Sequence, residues 1–266
     1  MTSLADKAEL LRELHHGSRP LLLPNAWDAA SARLVETAGF EAVATSSGAV
    51  AAVLGRKDDD SMPANEAFAA ITRVARNVSV PVTADLEAGY RLPAQELVAR
   101  LLATGAVGCN LEDTDHHRGG GLVALDDQVE RLRDIRSAAQ NANVDIVINA
   151  RVDVFRGDRE PPAKVFSEGV GRARAYLESG ADCVYPIGLA DEKLIEDFVA
   201  KVQAPVNIYA NPSAPPIPRL AELGVARVSF AAAMMRHAYR ALETRLSEIR
   251  DEWKLLPPGD SGMRSN

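Results

Sequence analysis

The sequence predicts an α/β protein, a closed (β/α)8 or TIM barrel preceded by an N-terminal helix. Three observations carry this. Eight short β-type runs alternate with longer helical patterns, and eight βα units in a chain of 266 residues suit one closed parallel barrel. Several helical patterns end on a glycine just ahead of the next run, at Gly39, Gly105, Gly180 and Gly224, where the chain must enter the left-handed region. No Gly-rich dinucleotide turn follows the first run, which argues against the alternative, an open doubly wound sheet.

Taken in order, the chain opens on MTSLADKAELLRELHHG, an amphipathic helix pattern rather than a signal peptide. The β-type runs are LLLPNAWD from 21, AVATSS from 42, VPVTADLE from 80, VGCNLED from 107, DIVINARVD from 145, CVYPIG from 183, PVNIYANP from 205 and RVSFA from 227. Between them, NEAFAAITRVARNV, AQELVARLLATG, ALDDQVERLRDIRSAA, GVGRARAYLESG and DEKLIEDFVAKV repeat apolar residues at helical spacing. A last helix, AAAMMRHAYRALETRLSEIRDEWKLL, carries Met234, Met235, Ala238, Leu242, Leu246 and Ile249 as a stripe longer than barrel cover requires. A homo-oligomer built through this helix is the expectation. One domain spans 1–256, and the Pro/Gly/Ser-rich segment 257–266 is expected to be a flexible tail.

Composition removes several function classes. The chain has 30 Lys+Arg against 37 Asp+Glu, a formal charge of -7, with no basic cluster, so neither nucleic acid nor an acidic membrane surface is expected as a partner. No apolar stretch approaches the roughly 20 residues that span a bilayer. Cys109 and Cys183 each sit inside an apolar run, which excludes a disulfide scaffold and points to the reducing cytoplasm. His15, His16 and His237 lie on helix patterns and are expected to face solvent or a partner subunit.

Period two sends alternate strand residues to opposite sides, one set towards the helices and the other towards the barrel axis. In the third run Val82, Ala84 and Leu86 face outward, leaving Thr83, Asp85 and Glu87 inward. The fourth aims Asn110 and Glu112 at the axis, the fifth Asn149, Arg151 and Asp153, and the seventh Asn207, Tyr209 and Asn211. Asn211 is the candidate substrate contact of that run, with Asn207 the alternative. Burying Asp85, Glu87 and Glu112 together costs several kcal/mol per unpaired charge, and Arg151 can neutralise only one. Three acidic oxygen donors at a barrel mouth suit a hard divalent cation, Mg²⁺ or Mn²⁺ in its place. The alternative is a structural salt-bridge network around Arg151 and Arg91.

PVTADLEAGY resembles the metal-binding segment of the isocitrate lyase and phosphoenolpyruvate mutase superfamily, and GAVGCNLEDTD, INARVDVF, SGADCVYP and ELGVARVSF follow in that family's order. SARLVETAGFEAVATSSGAVAAVLGRKDD is similar to its second strand and substrate loop. The resemblance covers about residues 20–235. It implies a Mg²⁺-dependent barrel enzyme that makes or breaks a bond beside a small 2-oxo carboxylate through an enolate-like intermediate. It also implies that Asp85 touches the metal directly, while Glu87 and Glu112 act through metal-bound water. Asp58 matches an acid near the metal and reacting centre. Ser46, Ser47 and Gly48 match a loop that holds a substrate carboxylate, and Arg151 matches an arginine that binds carboxylate and enolate oxygens, a task suited to its planar fork. Family members exchange their last helix between subunits.

The departures are as informative. Cysteine-dependent lyases of the family carry Lys-Arg-Cys-Gly-His shortly after the Glu-Asp pair, whereas this chain has HHRGGG, with Arg118 near the Lys and Gly120 near the Cys. The Lys and Asn of the mutases are missing from 113–123, and Ile187 stands where lyases have Glu and mutases His. A cysteine-free decarboxylase, hydrolase or lyase branch fits best. The runner-up readings are phosphonate chemistry and a metabolite-binding barrel without catalysis. DHHRGGG reads as a mobile lid over the site, with His116 and His117 expected to be solvated.

Overall fold

The computed structural model describes residues 2–157 and 160–252; the segment read as a tail, 257–266, lies outside the described residues. Among the described residues, eight parallel strands form the barrel. They are β1 (Leu21–Leu23, continued by Asn25–Ala26 past Pro24), β2 (Val43–Thr45), β3 (Val82–Asp85), β4 (Gly108–Glu112), β5 (Val147–Arg151), β6 (Cys183–Tyr185), β7 (Asn207–Tyr209) and β8 (Arg227–Ser229). One run of the sheet pairs β1 through β6 in chain order, a Val184–Val206 bridge links β6 to β7, and β8 pairs with both β7 and β1. The sheet is thereby closed, as the eight-unit count predicts.

The helices are α1 (Leu4–Leu14), α2 (Ala29–Thr37), α3 (Ser47–Leu54), α4 (Ala64–Ala75), α5 (Ala94–Thr104), α6 (Leu125–Asn141), α7 (Pro162–Glu178), α8 (Glu192–Val202), α9 (Ile217–Glu222) and α10 (Ala233–Glu252). Gly39, Gly105, Gly180 and Gly224 all take positive φ between helix and strand, the role their placement predicts. No helix among the described residues is long and apolar enough to cross a membrane. Cys109 and Cys183 are buried free thiols, each pushed up to about 12 by burial, so neither is poised as a nucleophile.

Helix α1 closes the N-terminal end of the barrel. Ser3 and Asp6 form a capping box at its start, and Ala8 and Leu11 pack with Leu21, Leu23, Ala42, Ala44, Val107 and Val147. Gly108 makes room for this plug, because a Cβ there would stand 2.8 Å from Leu11 Cδ2. Arg12 fastens the helix to Asp182 (3.0 Å) and to the Asp145 carbonyl (2.8 Å). His15 corrects the sequence expectation. It is buried, donates from Nδ1 to the Leu11 carbonyl at 2.7 Å, and sits near the guanidinium of Arg227. Burial and then that positive charge drive its pKa down to about 3, so it is neutral.

Helix α10 leaves the barrel after β8. Met235 is buried and the Tyr239 ring meets Trp27 edge-on at 6.5 Å, but Leu242 and Leu246 are 54% and 56% exposed, with Met234 and Ile249 also exposed. The stripe read from the sequence is real and lies largely bare in a single chain.

Candidate active site

The polar residues gather at the C-terminal ends of the strands, where parallel barrels place their chemistry. Strand parity holds for Asp85, Asn110, Glu112, Asn149 and Arg151. It cannot be applied to Glu87, Asp153 and Asn211, because β3, β5 and β7 stop at Asp85, Arg151 and Tyr209. Glu87 instead reaches inward from a turn at φ 50°, and Asp153 from a 3-10 turn over Asp153–Phe155. Asn211, just past the end of β7, accepts at Oδ1 from the Ser213 amide at 2.8 Å, closing a local turn. Asn207 is the inward asparagine of β7, fully buried with Nδ2 on Ser229 Oγ at 3.2 Å.

Two charge clusters result. In the first, Ser47 donates to Asp85 Oδ2 from its amide (3.1 Å) and its hydroxyl (2.8 Å), and the Asp85 amide donates to Thr45 Oγ1 (2.9 Å). Ser46 caps α3 by accepting from the Ala49 amide, so the Ser47 donors of this loop go to Asp85 while the Ser46 hydroxyl oxygen satisfies the helix start. Asp58 Oδ2 lies over Gly48, 2.9 Å from where a Cβ would stand. Although Asp58 is on the open rim, its pKa is raised, first by loss of water around the carboxyl and then by the Asp85 charge. Glu87 is buried and raised to about 8, by desolvation first and then by Asp58, Asp85 and Asp60, against the lowering effect of a bond from the Asp60 amide.

The second cluster surrounds Arg151. Its Nε and Nη2 grip Asp153 Oδ1 and Oδ2 at 2.7 and 2.8 Å, and Nη2 also contacts Glu112. Desolvation alone would lower the Arg151 pKa, but the Asp153 and Asp85 charges outweigh it and hold it raised. Glu112 is contacted in turn by His116 Nε2. Behind Asp153, its amide donates to Asp113 Oδ1 at 2.8 Å, and Asp113 Oδ2 accepts from Tyr176 (2.6 Å) and Arg172 (3.2 Å). The salt-bridge network foreseen as an alternative thus exists around Arg151, without Arg91, which is exposed on a turn.

The Gly-rich segment folds back on itself. Thr114–Asp115 pairs antiparallel with Gly121–Leu122, making a hairpin turned by Gly119 and Gly120 at positive φ. The histidines are not simply solvated. The His116 side chain is only 10% exposed against Glu112, and His117 Nε2 meets Asp60 Oδ2 at 2.9 Å. Sequence reasoning passed over Asp60, Asp113, Tyr176 and Arg172. An Asp triplet at 58–60 marks acidity but not which member turns inward.

Residues 11–250 match the phosphoenolpyruvate phosphomutase family. The chain belongs to that family. It is an enzyme of the isocitrate lyase and phosphoenolpyruvate mutase superfamily, as the resemblance implied. Among family relatives, a 2-methylisocitrate lyase of Aeropyrum pernix is 29% identical over 91% of this chain and 80% of its own length. An oxaloacetate decarboxylase of Chromohalobacter salexigens is 30% identical over 90% of this chain and 84% of its own. A crystal structure from Burkholderia cenocepacia J2315, provisionally assigned as a phosphonomutase, superposes with TM-score 0.87 at 36% identity, covering 92% of this chain and 99% of that one. The family's barrel and its carbon–carbon lyase members fit the architecture and the acidic mouth described above.

Among the described residues, no three His, Cys, Asp or Glu side chains are placed to hold a metal ion by themselves. The first cluster nevertheless suits a hard cation. Among the described residues, Asp58, Asp85 and Glu87 form no ion pair, and Glu87 Oε1 is buried without a hydrogen-bond partner. Mg²⁺ takes one or two carboxylates and keeps several waters, so a complete protein cage is not required.

Proposed function

We propose that the enzyme is a divalent-metal-dependent lyase acting on a small 2-oxo dicarboxylate of the oxaloacetate type. Breaking the bond between C3 and the distal carboxylate releases carbon dioxide, leaves the electron pair in an enolate, and finishes with a proton on C3. The observation that carries this is a group of carboxylates, Asp58, Asp85 and Glu87, without an ion pair among the described residues and with Glu87 Oε1 buried and unpartnered, beside the fixed cation Arg151 at one mouth. Asp85 and Glu87 are the residues that would hold Mg²⁺ or Mn²⁺, with Glu112 engaged by Arg151 and His116. When bound, the metal supplies a Lewis acid for the oxygen that becomes negative.

Arg151 orients the 2-oxo acid through whatever part of its fork Asp153 leaves uncommitted, and its charge favours the enolate. The start of α3, at Ser46, Ser47 and Gly48, is where the family resemblance would seat the substrate carboxylate, which there would have to take over the Ser47 donors that now hold Asp85, with Asp58 over Gly48. The hairpin shields the enolate from water. Carbon dioxide leaves without needing a proton, which accords with Gly120 standing near the position of the family cysteine. The decarboxylase relative supports this choice.

Phosphonate chemistry is the second reading, favoured by the provisional assignment of the 36% identical structure. A panel of oxaloacetate, an alkylmalate, methylisocitrate and phosphonopyruvate, with and without Mg²⁺, separates them. The Asp85→Ala protein is the baseline, because free metal ions also promote oxaloacetate decarboxylation. Pyruvate formed from oxaloacetate above that baseline, and lost on chelation, is expected. Selective turnover of phosphonopyruvate would favour the second reading, and no turnover of any member would defeat both.

A further inference from the structure

One carboxylate at the edge of the first charge cluster joins three loops of the mouth. Asp60 is buried at φ 56° in the segment between α3 and α4. Its Oδ1 accepts from the Tyr90 amide at 2.9 Å, on the turn after β3. Its Oδ2 accepts from His117 Nε2 at 2.9 Å, on the hairpin after β4. Its own amide donates to Glu87 Oε2. These partners lie 27, 30 and 57 residues away along the chain, so no local turn preference produces the arrangement.

We infer that Asp60 and His117 are positioning residues: a clasp that fastens the hairpin over the mouth and, through the Asp60 amide, fixes where the Glu87 carboxylate stands. The inference deepens the proposed function, since Glu87 matters to chemistry only if that reading holds. The physical reasoning does not depend on it. A buried carboxylate must be satisfied by donors, and here each donor belongs to a different loop, so loss of one leaves the others binding a poorly satisfied charge. His116 anchors the base of the hairpin on Glu112, and Asp115 Oδ1 serves the hairpin itself by accepting from the amides of His117 and Arg118. The His117 side chain is about a third exposed, so its removal leaves the barrel core untouched.

Amide hydrogen exchange on the full chain tests the clasp without any substrate, so a protein that turned over none of the acids above would still answer the question. In His117→Ala, exchange should quicken about tenfold or more in the hairpin 113–122 and also in segments 58–62 and 86–91. His117→Gln, which can return a donor near the place of Nε2, should restore all three. Arg118→Ala, on the same hairpin but with its side chain 87% exposed, should leave 58–62 and 86–91 unchanged. Quickening confined to the hairpin, failure of Gln to restore, or quickening that spreads to β5 would each overturn the inference.

Discussion

Arg151 is gripped edge-on by Asp153 and touched by Glu112, and its usefulness lies in a guanidinium plane held by fixed partners. Arg151→Lys keeps the charge but loses the fork, so kcat/KM for the acid that proves to be the substrate should fall about a hundredfold or more, near 3 kcal/mol, with the fold retained. Steady-state kinetics beside a thermal melt would check this; unaltered kinetics would reduce Arg151 to a structural partner of Asp153. His15 gives a second prediction, on stability. Its folded pKa of about 3 lies below the ordinary 6.5, so the unfolded chain binds its proton first as pH falls. The stability it contributes is complete above pH 6.5 and drains away towards pH 3. Urea midpoints of His15→Gln should therefore fall less steeply than the parent's across that window, and parallel curves would refute the linkage. The burial itself was readable: Ala8, Leu11 and His15 recur at helical spacing, so periodicity puts His15 on the inner face whatever its polarity.

Within strands, a period of two is strict, so Asp85, Glu112 and Arg151 could be aimed at the axis from sequence alone. Beyond the strand ends it carries no information. Glu87, Asp153 and Asn211 are set by turns, one of them at positive φ, and a parity rule extended two residues too far cannot say where they point. The three-loop junction at Asp60 was hidden for a related reason, since it depends on long-range contacts that no window of sequence contains. One turn also depends on a helix glycine. Phe155, at the end of the 3-10 turn that carries Asp153, packs against Phe166 and Phe198 with ring centroids 6.5 and 6.0 Å away. A Cβ on Gly169 of α7 would stand 2.2 Å from its Cζ. Gly169→Ala should thus cost about 1–3 kcal/mol through overpacking. Gly171→Ala, with nothing within 4 Å of the added carbon, should be neutral or stabilising through helix propensity. Equal melting temperatures for the two variants would contradict this account.

Across the whole molecule, the bare stripe on α10 is the surface most in need of a partner. Leu242, Leu246 and Ile249 are exposed together on one helix, and a second copy of the chain is the occupant we propose. Light scattering at micromolar concentration should give a multiple of the chain mass, reduced to the monomer by Leu242→Glu with Leu246→Glu; a monomeric parent would end the idea. The other end of the barrel has a different consequence. With Leu11 lodged in the space that Gly108 leaves, the barrel is a cup and not a tube. Among the described residues α1 stands across that end, so departing fragments and arriving substrate would share the rim as their doorway. If bond breaking is fast, the tempo of such an enzyme is set by how often that doorway stands clear.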